Sequence, residues 1–441
     1  MKRIVFLSIP FAFVIAVAHA VTLDQAMTQT LEGNLRILQA KTGLEAAAGQ
    51  RLILRSVGLP TGVVGTVAGD QGGHRSRTNT DQPFAFAYGS FRQPIFGAAI
   101  PASDRRGEVE LLIAQQQLNV AVMEELHKTR IAFYTALYNR SLESLGEAQR
   151  ERLERNIAGE EARYQAGNGD RAGFVAATLE VTELDPQIET ARNAYGKAIL
   201  QLATAMGHAL GPGTKLPSPE GSLNSRSTEF SLQDEIDTAL KRRPDLKLAR
   251  LLTRAASEDQ RIVEAGYYPA VDAVASGEAI PVSGVHRESG GSPNPSDDRV
   301  SSEVRGGVAY TWRVIDNGQV SGAVSRQRSA RQTNELLLQR LEESVPRELS
   351  RLQNNLQVIA ARYHSLGIAV EVAEKTVASV EENRQQGLAS ELDVRTAETS
   401  LLATRSGILT AMFQQNLALA EWDRTTGRYF QFSDSTDGKV R

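Results

Sequence analysis

The sequence contains no cysteine, which excludes thiolate metal sites, thiol catalysis and lipid attachment at an N-terminal cysteine, and suits an oxidising compartment. Aromatic residues are few, at 6%. There is no basic excess either: 49 Lys and Arg stand against 52 Asp and Glu, for a net charge of −3. That balance argues against a nucleic-acid partner, which would require a basic face. Beyond residue 20 no run of 18 or more apolar residues occurs, so any membrane insertion there must use strands. No nucleotide loop, hydrolase elbow or metal-ligand motif is present, so the sequence points to no enzyme, no metal and no cofactor. The histidines are scattered, and His74 and His286 read as solvated loop residues.

What is there begins with an export signal. Lys2 and Arg3 precede an apolar stretch over residues 4–18, and Ala18-His19-Ala20 supplies small residues around a cleavage site. Residues 1–20 are therefore expected to be a cleaved signal peptide. Its removal takes Lys2 and Arg3 and no acid, moving the net charge from −3 to −5.

The remainder is one pattern written twice. Thr22-Leu23-Asp24-Gln25 answers Ser231-Leu232-Gln233-Asp234, and Pro60 answers Pro269, at an offset of 209. Gly167 then pairs with Gly387, and Met206-Gly207 with Thr426-Gly427, at an offset of 220. The expected organisation is a first repeat over 21–210, a linker over 211–230, a second repeat over 231–429 and a polar tail over 430–441. Each repeat reads as helix, strand, loop, strand, long helix, sharp turn, long helix.

The strands alternate with a period of two. Phe84, Phe86 and Tyr88 share one face of their strand. Val308, Tyr310, Trp312 and Val314 share one face of theirs, backed by Arg305, Gly307, Ala309, Thr311 and Arg313. Such strands fit a half-buried soluble sheet or, in an exported chain, a transmembrane barrel wall with Phe84, Phe86, Tyr88, Tyr310 and Trp312 toward lipid. Four strands cannot close a barrel alone, so the second reading requires oligomerisation. In the long helices, apolar residues from Leu338 through Leu349, Leu356 and Val370 to Val380 recur at a mean spacing of 3.5, the period of a coiled coil. Residues 319–386 are interrupted only by Pro346 and would span roughly 100 Å as a helix.

Both long hairpins reverse at a glycine. Arg163-Tyr164-Gln165-Ala166-Gly167 ends one helix, with Gly167 suited to the left-handed C′ position and Asp170 able to cap the returning helix. Gly387 ends the other. Ser390 is its expected N-cap, with Glu391 and Asp393 in the first turn, where acids suit the helix dipole without needing a further role. The tandem strand pairs with long hairpins, the Arg-Tyr-x-x-Gly turn and the Gly-x-x-Ser-x-x-Asp-Val run at 387–394 resemble the TolC outer-membrane efflux family.

That resemblance implies a mainly α chain with a small β part, assembled as a homotrimer. Its twelve strands would form one outer-membrane β-barrel in lipid, continued by a long periplasmic α-helical barrel. The implied role is the exit channel of a tripartite efflux or type I secretion system, working with a periplasmic adaptor and an inner-membrane pump. The turns at Arg163, Tyr164, Gly167, Gly387, Leu388 and Ser390 would dock the adaptor, although Leu388 equally fits a hydrophobic brace between helices. Asp393 matches a gate aspartate of the periplasmic entrance. Thr396 stands where the protein that gives the family its name has a second aspartate, and Gly173 takes the matching place in the first repeat, so any acidic ring is sparse. The competing reading is a periplasmic coiled-coil scaffold or adaptor-like protein without channel activity.

Overall fold

A computed structural model describes residues 19–75, 78–167, 171–209, 211, 215–226, 231–282 and 299–430. Residues 1–18, Asp170, His286 and the tail from 431 to 441 lie outside this description, as do the side chains of His74 and Phe84. The chain forms two compact units, Met1–Lys41, Gln117–Asp245 and Leu341–Arg441 in one, Thr42–Gln116 and Leu246–Arg340 in the other. Each unit takes part of both repeats.

The repeat governs element lengths. Helices α1 (Leu23–Gly33) and α2 (Leu35–Arg55) recur as α5 (Leu232–Arg242) and α6 (Pro244–Glu264), each start and end displaced by 209 residues. The long helices α3 (Ala99–Gln165) and α4 (Arg171–Ala205) recur as α7 (Gln319–Gln385) and α8 (Glu391–Thr425), displaced by 220, with lengths of 67 and 35 residues in both copies. Helix starts are chemically marked. Thr22 and Gln25 form a reciprocal capping box at α1. At α2 the Asn34 side chain accepts from the Arg36 and Ile37 amides, while its own amide donates to Glu125 on α3 and to the Ala205 carbonyl. The matching residue before α6 is Arg243, which is buried and pairs with Asp245 and with Glu348 on α7. Pro244, at the first helical position, gives up a donor that would have been unpaired anyway.

In the first unit, Ala26, Phe133, Leu137, Leu202 and Met206 form a core cluster, and Tyr138 stacks on Phe413 with ring centroids 4.4 Å apart. The 3.5-residue stripe of α7 behaves as its spacing predicts. Val345, Leu349, Leu352, Ile359 and Val377 are buried and the stripe positions between them are half-buried, whereas Val358, Ile368 and Val372, off the stripe, are exposed. Ala373, Val377 and Val380 meet Ala397 and Leu401 of α8. A short parallel pair joins β1 (His19–Val21) to β4 (Pro217–Pro219).

In the second unit, β2 (Thr61–Arg75), β3 (Thr78–Phe96), β5 (Ala270–Val282) and β6 (Arg299–Thr311) make one antiparallel sheet in the order β2-β3-β5-β6. The two hairpins, one from each repeat, meet through the β3–β5 pairing. Beside the sheet, Val109, Ile113 and Ala255 form a small core between α3 and α6, flanked by ion pairs from Arg105 to Glu258 and from Arg106 to Asp259.

Candidate functional site

The sheet has two chemically different faces, and its register assigns every strand position to one of them, because directly opposed residues share a face. One face carries Val64, Ala87, Phe91, Ala273, Val304, Val308 and Tyr310. Over the rows from Gly62–Ala68 across to Ser302–Tyr310 it holds no charged residue. Val64 is 88% exposed, Val304 82% and Val308 68%, so this apolar face lies open. The other face carries Arg92, Asp272, Glu278, Glu303 and Arg305. There Arg305 makes a two-pronged bond to Glu303, and Arg92 holds the buried Asp272 at 2.7 Å.

The register divides the aromatics between the two faces. Tyr88 stands opposite Glu278, which in turn stands opposite Glu303, so Tyr88 belongs to the charged face. Phe86 lies two residues along the same strand, with ring centroids 6.1 Å apart, and backbone register carries Phe84, opposite Gly69, into the same set. Tyr310 lies on the apolar face, opposite Val271. The five aromatics therefore do not share one surface. Tyr88 lays its ring over Gly65, where even a methyl group would come within 2.5 Å of the ring. Trp312, just past β6, donates its indole N–H to the Tyr267 carbonyl.

The hairpin turns, both in the first unit, are built as their residues dictate. Gly167 and Gly387 have φ of +75° and +76°. At the second turn the Leu388 amide donates to the Asn383 carbonyl and the Gly387 amide to that of Arg384, the paired bonds of a Schellman motif. Tyr164 and Leu388 are exposed, Leu388 by 75%, and no apolar cluster covers either among the described residues. Ser390 caps α8 by accepting from the Asp393 amide, and the Asp393 carboxylate accepts from the Ser390 amide and hydroxyl at 2.8 and 2.7 Å. Those bonds hold the Asp393 carboxyl below its ordinary range. Asp393 and Thr396 lie three apart on the exposed side of α8. Gly173 is placed differently: its carbonyl accepts from Arg395, on the buried side of that helix.

A charged network behind these turns escaped the sequence reading. Arg152 of α3 meets the buried Glu398 of α8 at 2.6 Å. Burial pushes the Glu398 carboxyl up, against the pull of Arg152. Glu391 receives Arg163 from the first hairpin at 3.8 Å and Arg384 from the second at 3.4 Å. Arg395 reaches both Gly173 and Glu180 of α4. The two hairpins are thus tied by ion pairs on the inner side of α8 while Asp393 stays on the outer side. Beside the network lies a cleft of about 460 Å³, lined by Gln149, Leu153, Glu180, Leu184, Leu402 and Ser406.

Among the described residues no helix is long and apolar enough to cross a membrane, and no cluster of three metal-ligating side chains occurs. An open four-stranded sheet is thus carried in a chain of tandem long helical hairpins. Residues 236–428, the second repeat, match the outer membrane efflux protein family. The fold of the chain is similar to that of the outer membrane protein VceC of Vibrio cholerae (17% identity, 92% of this chain and 96% of that one, TM-score 0.76). It is also similar to the CmeC outer membrane channel of Campylobacter jejuni (13%, 92% and 85%, 0.80) and to the open state of the MtrE outer membrane channel of Neisseria gonorrhoeae (15%, 92% and 88%, 0.74). No curated protein matches the chain by sequence.

Proposed function

We propose that this chain is the subunit of a trimeric outer-membrane exit channel, exported by a cleaved signal peptide and joined in the periplasm to an adaptor and an inner-membrane pump. The observation that carries this reading is the sheet. Its apolar face is open and, over the rows from Gly62–Ala68 across to Ser302–Tyr310, uncharged, and β2 and β6 are edges with unpaired backbone groups. In lipid such edges must be satisfied, and three copies joined edge to edge would give a closed barrel of twelve strands. The apolar face, with Val64, Val304, Val308 and Tyr310, would then meet lipid. Phe86, Tyr88, Glu278 and Arg305 would line the lumen.

At the hairpin turns, Arg163, Tyr164, Gly167, Gly387, Leu388 and Ser390 would form the adaptor-docking surface, with the nearby cleft receiving side chains. Asp393 and Thr396 would border the entrance, and the ion pairs of Glu391 and Glu398 would hold the two hairpins together in its resting state. The experiment is single-channel recording of the purified protein in a planar bilayer. Discrete conductance steps are expected, and their absence from a properly folded preparation would favour the scaffold reading. Asp393→Asn keeps the geometry of the cap and removes only charge. In the channel reading it weakens cation preference modestly, because Gly173 contributes no carboxylate. Unchanged current and selectivity would return Asp393 to helix capping alone.

A further inference from the structure

We infer that the export-linked peptidase cuts between Ala18 and His19, so that the mature chain begins at His19, two residues before the position first read from the sequence. The inference rests on the export reading above. Two small-x-small triplets overlap at the end of the apolar segment, Ala16-Val17-Ala18 and Ala18-His19-Ala20, and either can fill the −3 and −1 positions of a cleavage site. The fold distinguishes them.

Strand β1 consists of His19, Ala20 and Val21, in parallel register with Pro217, Ser218 and Pro219. The Glu220 amide extends the pairing by donating to the Val21 carbonyl at 2.9 Å. Val21 is 2% exposed and belongs to the core cluster with Ala26, Phe133, Leu202 and Leu223. A cut after Ala20 would delete two of the three paired positions. It would also put the new ammonium group on Val21, a core residue that is 2% exposed in the uncut chain. Burying an unpaired charge is among the costliest things a fold can do, and two of the three partner residues are prolines. A cut after Ala18 hydrolyses the Ala18–His19 amide, water supplying the hydroxyl to the Ala18 carboxyl and a proton to the His19 amine. It leaves the new ammonium two residues out from the buried Val21, before the exposed Ala20.

The test is intact mass and N-terminal sequencing of the protein isolated from membranes. A chain starting at His19 is expected. A chain starting at Val21 overturns the inference and leaves the export reading standing, whereas retention of Met1 in a folded protein overturns the export reading itself. Two variants separate the sites further. Ala20→Leu alters only the −1 residue of the second triplet, and processing should continue to give His19. Ala16→Leu alters only the −3 residue of the first, and processing should slow severalfold or move to Val21. A block by Ala20→Leu with no effect of Ala16→Leu would also overturn the inference.

Discussion

Two pairs of residues show how position decides what a side chain is worth. Gly387 and Gly173 both lie near hairpin turns, and a Cβ has room at each. Gly387 has φ of +76°, however, and Gly173 lies in the first turn of α4. Gly387→Ala should destabilise the turn by about 1–2 kcal/mol, the cost of a left-handed L-residue. Gly173→Ala should be neutral or stabilising by up to about 1 kcal/mol, since alanine is the better helix former. Hydrogen exchange at the two turns would separate these outcomes. The second pair is Glu421 and His127, which meet at 3.0 Å between α8 and α3. Burial works to raise the Glu421 carboxyl, but hydrogen bonds from His127 and Arg424 outweigh it and bring it down from 4.5 to about 2. A carboxylate lowered on folding stabilises fully above its unfolded value, and that contribution is lost as pH falls through the folded one. Stability should therefore decline between about pH 4.5 and pH 2. Glu421→Gln should lower stability at neutral pH and flatten the acid limb. The neighbouring Trp422, fully buried, supplies a fluorescence signal for urea titrations at each pH.

At the scale of the element, the test that matters most is which way the sheet faces. Val308→Arg places a charge on the apolar face and should impair membrane assembly by roughly 2–4 kcal/mol if it sits near the bilayer midplane. Tyr88→Arg adds a charge to a face that already holds Glu278 and Glu303, and should assemble normally. Folding yields of the two variants in lipid vesicles would decide, and equal yields would mean that the faces are not separated by a membrane. These variants address what was hidden in the sequence. The long helices were legible because a 3.5-residue stripe from Leu338 to Val380 survives any choice of partner. The glycines at 167 and 387 were legible because few residues other than glycine tolerate their φ. The face of Phe86 and Tyr88 was not. Alternation along one strand shows which residues go together, but only register with the next strand shows where they go, and nothing local to β3 specifies that Tyr88 lies opposite Glu278. The charged network was invisible for a similar reason. Nothing in the spacing of Arg152, Arg395 and Glu398 marks them as partners of a network, and only the packing of α3, α4 and α8 brings them together.

For the molecule as a whole, the open edges of the sheet and the exposed valines beside them leave a single chain incomplete in lipid. Crosslinking and mass measurement in mild detergent should give three copies of the processed chain, and a stable membrane-inserted monomer would contradict the closed barrel. The equal arms of the two repeats carry a different consequence. Helices of 67 and 35 residues occur in both copies, and every residue of the eleven-residue difference between the offsets of 209 and 220 falls between the start of the first strand and the start of the long helix. Seven residues added to α7 alone would lengthen that arm by about 10 Å and leave its turn out of step with the other. Between the two copies the helices keep equal lengths, and the whole difference in length falls in the strand hairpins and their connections. The chain is in effect a ruler copied twice, and its history of length change is recorded only where nothing is being measured.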